Sequence, residues 1–141
     1  MKYFFSLIVI YFTLITYECM ANSTDEAFQS FWNEFRIAVI KEDYATLEKF
    51  TKFPLDVRGV HDSMPTEYFK KDEFKDIFNR LMKQKIYPVH QEDLVLTSMK
   101  TIVSNTELVS DMKNGEQYRI EHLVFENIDG QWFFTNAYLE E

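Results

Sequence analysis

Two short hairpin signals bring together the side chains of this sequence whose spacing suggests acid–base chemistry. Lys113-Asn114-Gly115-Glu116 and Ile128-Asp129-Gly130-Gln131 place Asn-Gly or Asp-Gly where a type I′ turn needs positive φ at both central residues. Two-residue loops there set the pairing of the flanking strands. His122 then faces Glu107 on one side and Ala137 on the other, and Asp111 faces Tyr118. A carboxylate beside an imidazole orients it and raises its basicity, so Glu107 and His122 form a candidate general base. Asp111 could similarly fix the Tyr118 phenol as a donor. A cross-strand ion pair and a hydrogen-bonded tyrosine on a partly exposed sheet explain the same residues without catalysis, and this plainer reading is preferred. A one-residue bulge would undo the pairing and move His122 to the other face.

Other chemistries lack their residues. His61, His90 and His122 show no metal-ligand spacing, and the single cysteine, Cys19, stands in a leader, so no metal site is expected. No Gly-x-Ser-x-Gly elbow exists, and three glycines leave no phosphate-cradling loop, so no cofactor is expected. A net charge of -8 argues against a nucleic-acid partner, because phosphate contacts need clustered Lys and Arg.

The elements that would position these residues follow a leader. Met1–Ala21 reads as a signal peptide: Lys2, an apolar run from Tyr3 to Tyr17 that is short for a bilayer span, then Cys19 and Ala21 at a small-residue cleavage site. Retention as an anchor and lipidation of Cys19 are the alternatives, the latter disfavoured by Glu18. Cleavage before Asn22 leaves one domain over residues 22–141, exported to the periplasm or secreted, with no stable membrane span. Six of the aromatic residues (Tyr3, Phe4, Phe5, Tyr11, Phe12 and Tyr17) leave with the leader, and so does the cysteine. The remaining domain must hold itself by packing alone.

Ser23 to Glu26 fits a capping box. Phe28, Phe31, Trp32, Phe35 and Val39 then form the stripe of an amphipathic helix ending near Glu42. Asp43 could cap a short second helix. Phe53–Gly59 alternates as a strand, Glu67–Lys70 is extended, and Phe74–Met82 returns to helical spacing under an Asp72 cap. Leu94–Val103 favours a strand, with a helix not excluded. Thr106–Met112, Gln117–Asn127 and Gln131–Leu139 complete a three-stranded meander. Its first face carries Val109, Asp111, Tyr118, Ile120, His122 and Val124, and its second carries Leu123, Phe125, Trp132 and Phe134. Neither face is cleanly polar, so one should pack helices and the other meet a partner or a pocket.

This order, with Phe31-Trp32 in the first helix and Trp132-Phe133-Phe134 in the last strand, resembles the NTF2-like superfamily, its exported bacterial members above all. The resemblance covers Thr24 to Leu139 and rests on element order and aromatic positions. It implies a cone-shaped α+β fold, with three helices of the N-terminal half packed on a curved antiparallel sheet around an apolar pocket. Phe31, Trp32, Phe35, Tyr118 and His122 would line that pocket. The family holds isomerases, dehydratases, ligand-binding modules and dimeric carriers, so fold leaves function open. The expected function is non-enzymatic binding of a small apolar molecule or a protein partner, with homodimerisation through the sheet. The alternatives are a pocket enzyme of isomerase or dehydratase type and a periplasmic inhibitor or immunity-type protein.

Overall fold

The computed structural model describes residues 25–61, 63–89, 95–107, 112–113 and 116–140. The fold is α+β. Helix α1 spans residues 25–41 and ends where Glu42 takes a positive φ of 55°. Asp43 caps α2 (Tyr44–Lys49) by accepting from the Thr46 N–H at 3.1 Å. Strands β1 (Thr51–Gly59) and β2 (Thr66–Phe69) form an antiparallel pair. A 3-10 turn, Lys71–Glu73, leads into α3 (Phe74–Lys83). The expected Asp72 cap is replaced: Asp72 lies inside the 3-10 turn, and Glu73 reaches back to accept from the Lys70 N–H at 2.9 Å.

Strands β3 (Lys85–Ile86) and β4 (Thr97–Ser98) make a separate two-stranded ribbon. The segment around Val103 is helical rather than extended. Ser98 accepts from the Thr101 N–H at 3.2 Å and starts α4 (Met99–Asn105), a helix in the C-terminal half beside the three expected earlier. β5 (Met112–Lys113), β6 (Gln117–Ile120), β7 (Leu123–Ile128) and β8 (Gln131–Leu139) follow. The six-stranded sheet runs β2-β1-β8-β7-β6-β5, antiparallel except where β1 lies parallel to β8.

Three features of the meander overturn the expected register. The segment 117–127 is two strands, because Glu121-His122 forms a tight turn with Glu121 at φ 49° and Ile120 opposite Leu123. Tyr118 pairs with Met112 rather than Asp111, so the loop at Asn114-Gly115 carries one residue more than expected. The Asp129-Gly130 turn has both φ values positive, 53° and 85°, as anticipated, but β8 gains one residue over β7 between the pairs Phe125–Phe134 and Val124–Asn136.

Each irregularity switches which parity points inward. Tyr118 and Ile120 face in on β6, Leu123 and Phe125 on β7, then Trp132 and Phe134 before the bulge and Ala137 after it. Residues that a straight strand would send to opposite faces thus meet on one. Against them lies the α1 stripe of Phe28, Trp32, Phe35 and Val39, all buried. Phe125 is the hub. Its ring centroid lies 5.1 Å from Phe35, 5.7 Å from Trp32 and 5.6 Å from Phe134. Such tilted and edge-on contacts add to the area each ring buries. We expect Phe125→Ala to lower unfolding free energy by about 3–5 kcal/mol, read from urea midpoints with an unchanged slope.

Candidate functional site

The candidate acid–base residues occupy separate places. His122 sits in the β6–β7 turn at one end of the sheet. There the Tyr138 N–H donates to the His122 carbonyl at 2.9 Å, and the imidazole meets the end of α3. Gln84, buried just beyond α3, organises this corner. Its Nε2 donates to the Tyr138 carbonyl at 3.0 Å, and its Oε1 accepts from the Glu140 N–H at 3.1 Å. That oxygen also faces His122 Nδ1 at 3.4 Å and can accept its proton when the ring carries one there. His122 Nε2 looks toward the Glu140 carboxylate at 3.6 Å. The Glu121 carboxylate accepts from the Val89 N–H at 3.0 Å and holds the preceding loop to the same turn. Arg119 stacks its guanidinium on the Tyr138 ring, 4.5 Å from the centroid.

Burial holds the His122 imidazolium below the usual histidine range, aided by Arg119 and opposed by Glu140 and Glu121. The imidazole is thus neutral over a wider pH range than an exposed one and is tied to Gln84.

Glu107 does not pair with His122, which lies in the β6–β7 turn rather than on a strand. It lies beyond α4, where its carboxylate faces Arg36 of α1 at 3.7 Å and its carbonyl accepts from Gln29 at 2.7 Å. Arg36 also donates to the Ser104 carbonyl at 3.1 Å, and Trp32 Nε1 to the Thr106 carbonyl at 2.7 Å. These bonds satisfy carbonyls at the end of α4, where a cation is favoured. Asp111, the expected partner of Tyr118, lies outside the described residues. Tyr118 itself is buried on the inner face. Its hydroxyl donates to Asp25 at the start of α1, and its ring stacks on Phe28 at 3.7 Å. Burial first, and the Asp25 carboxylate second, push the phenol far above its ordinary range.

Of the residues expected to line a pocket, Trp32, Phe35 and Tyr118 are core, and Phe31 packs half-buried against them. His122 stands apart from these four. Among the described residues no three His, Cys, Asp or Glu side chains converge to hold a metal ion, and no helix is long and apolar enough to cross a membrane.

The sequence reading missed two concave features. A broad one of about 380 Å3 lies on the sheet face turned away from α1, where Lys52, Asp56 and Arg58 of β1 lie across Asn136 of β8 from Val124 and Glu126 of β7. Its signal was the alternation that puts Lys52, Pro54, Asp56 and Arg58 on one face of β1, legible as an outward face but not as half of a cleft. A smaller cleft of about 60 Å3 opens between α3 and the β1–β2 hairpin. Comparison of the chain with family models, curated proteins and solved structures finds no match.

His122 makes stability depend on pH. Its folded affinity for protons lies below that of the unfolded chain, so the unfolded state binds more protons as pH falls. Its contribution is complete above about pH 6.5 and is lost as pH drops from there through the lower folded value. Urea midpoints should fall over that interval in the unaltered protein. The slope should flatten in His122→Asn, which retains a donor toward Gln84, and persist in His61→Asn, whose histidine is exposed.

Proposed function

We propose that this chain is an exported NTF2-like domain that binds a protein partner through the outer face of its sheet and does not catalyse a reaction. The carrying observation is where space and polarity lie. The inner side of the sheet is filled by interlocked rings, whereas the outer face offers the 380 Å3 concavity with side chains of both signs. A polar, mixed-charge surface suits a protein surface better than a small apolar molecule. The strand order, with β1 parallel to the last strand and α1 across the inner face, supports the NTF2-like architecture that the element order resembles. The dispersal of His122, Glu107 and Tyr118 supports binding over the isomerase or dehydratase alternative, since acid–base catalysis needs its groups at one reacting centre. The leader-like Met1–Ala21 supports export.

A photo-crosslinking residue in place of Glu126 tests the reading in the exporting cell. A discrete protein adduct is expected there, and none from the same residue in place of Ile37 on the exposed side of α1. Adducts from both positions or from neither overturn it. So does a stoichiometric apolar molecule retained by the protein in native mass spectrometry.

A further inference from the structure

Two arginines on the outer face of the sheet flank one aromatic ring. Arg58 of β1 is exposed and stands beside Tyr138 of β8 in the parallel register, and both line the 380 Å3 concavity. Arg119 of β6 alternates with the inward Tyr118 and Ile120, so it belongs to the same outer face, opposite Val124. Its guanidinium crosses to Tyr138 and lies 4.5 Å from the ring centroid. Arg58 and Arg119 thus flank Tyr138 from opposite sides of β8.

Neither guanidinium is committed to a carboxylate. Among the described residues Arg58 makes no hydrogen bond or ion pair. Arg119 donates from Nε to the Glu121 carbonyl at 2.8 Å, which leaves both terminal nitrogens open, and its ring contact holds the side chain in place. The acids around them are engaged elsewhere or stand off. Glu126 accepts from Gln117 at 3.2 Å, Glu121 accepts from the Val89 N–H, and Glu140 faces His122. Asp56 shares the face beside Asn136 and forms no ion pair with Arg58. Lys52, Arg58 and Arg119 against Asp56 and Glu126 leave this face locally cationic on a chain of net charge -8.

The geometry points to recognition of an acidic segment of the protein partner, with neighbouring Asp or Glu side chains received by Arg58 and Arg119. This rests on the outer-face reading, which supplies the occupant. A guanidinium matches a carboxylate with two parallel donors, and one already held on a ring gives up less freedom when it binds. Repulsion between the acidic chain and an acidic segment disfavours contact elsewhere. The place where the sign reverses therefore sets the register of docking.

Amide-resolved NMR titration of the purified protein with an acetylated, amidated tetraglutamate tests the clamp without the partner, and tetraglutamine is the uncharged counterpart. Tetraglutamate should produce saturable shifts at Arg58, Arg119 and Tyr138, and tetraglutamine should bind about tenfold more weakly or less. Arg58→Gln, at an exposed position, should keep the spectrum of a folded protein and lose about three- to tenfold in tetraglutamate affinity. Arg119→Lys should lose as much although its charge is kept, because the planar fork and its stacking are lost. Lys41→Gln, on α1, should leave the affinity unchanged. In the exporting cell, Arg58→Gln should also deplete the adduct from position 126. Equal binding of the two peptides, shifts confined to other surfaces, or undiminished affinity in Arg58→Gln overturns the proposal. Full affinity in Arg119→Lys overturns the pairing of the two arginines. An undiminished adduct in Arg58→Gln overturns the acidic segment and leaves the outer-face reading standing. Failure of that reading is seen separately, as the absence of an adduct from position 126 with Arg58 intact.

Discussion

Everything else in this fold depends on the contact between the aromatic stripe of α1 and the inner face of the meander. A single cysteine, Cys19, permits no disulfide within the chain, so packing must supply what disulfides supply in many small domains. Phe28, Trp32 and Phe35 enter from the helix, and Phe125, Trp132 and Phe134 from the sheet. They interlock through tilted and edge-on contacts, such as Phe35 with Phe125 at 82° and Phe28 with Trp132 at 69°. Rings meeting this way leave little freedom to slide, because shifting one by a turn would misalign the rest.

The same helix carries the polar bonds that lock this layer in place. Gln29, Trp32 and Arg36 all donate to backbone carbonyls between Ser104 and Glu107. Those carbonyls leave α4 without intrahelical partners, and a buried orphan acceptor would cost about 1–3 kcal/mol. One face of α1 thus meets the sheet while its flank closes the end of α4. The same helix holds Glu107 through Arg36 and Gln29, and Tyr118 through Asp25.

Much of this organisation was legible in the residues themselves. The α1 stripe, the Asp43 cap, the alternation of β1, the α3 spacing and the extent of β8 follow from period and capping chemistry that tertiary contacts left unopposed. The faces of the meander were not legible, and the reason is specific. Glu121-His122 turns the chain without Gly, Asn or Asp, so no punctuation marks it. The one-residue excess of β8 over β7 adds a second parity switch. Two switches in one run make both faces look mixed, although the folded sheet sorts its residues cleanly. α4 was obscured because Ile102 and Val103 favour strands, whereas the Ser98 cap and burial against the core select the helix.

The Glu121-His122 turn also shows how a strained conformation is stabilised from outside the hairpin. A non-glycine residue at positive φ carries a conformational cost, and Glu121 offsets it by accepting from the Val89 N–H. His122 meets Gln84, which is bound in turn to the end of β8, and Arg119 donates to the Glu121 carbonyl at 2.8 Å. The end of α3, Val89 beyond β3 and the end of β8 all converge on the turn. An imidazole recruited to such a junction loses hydration, which lowers its proton affinity against the opposing pull of Glu140 and Glu121. The expected pairing of His122 with Glu107 is thus replaced by the contacts that hold the turn. The aromatic layer fills the inner side of the meander and leaves the broad concavity to the outer sheet face.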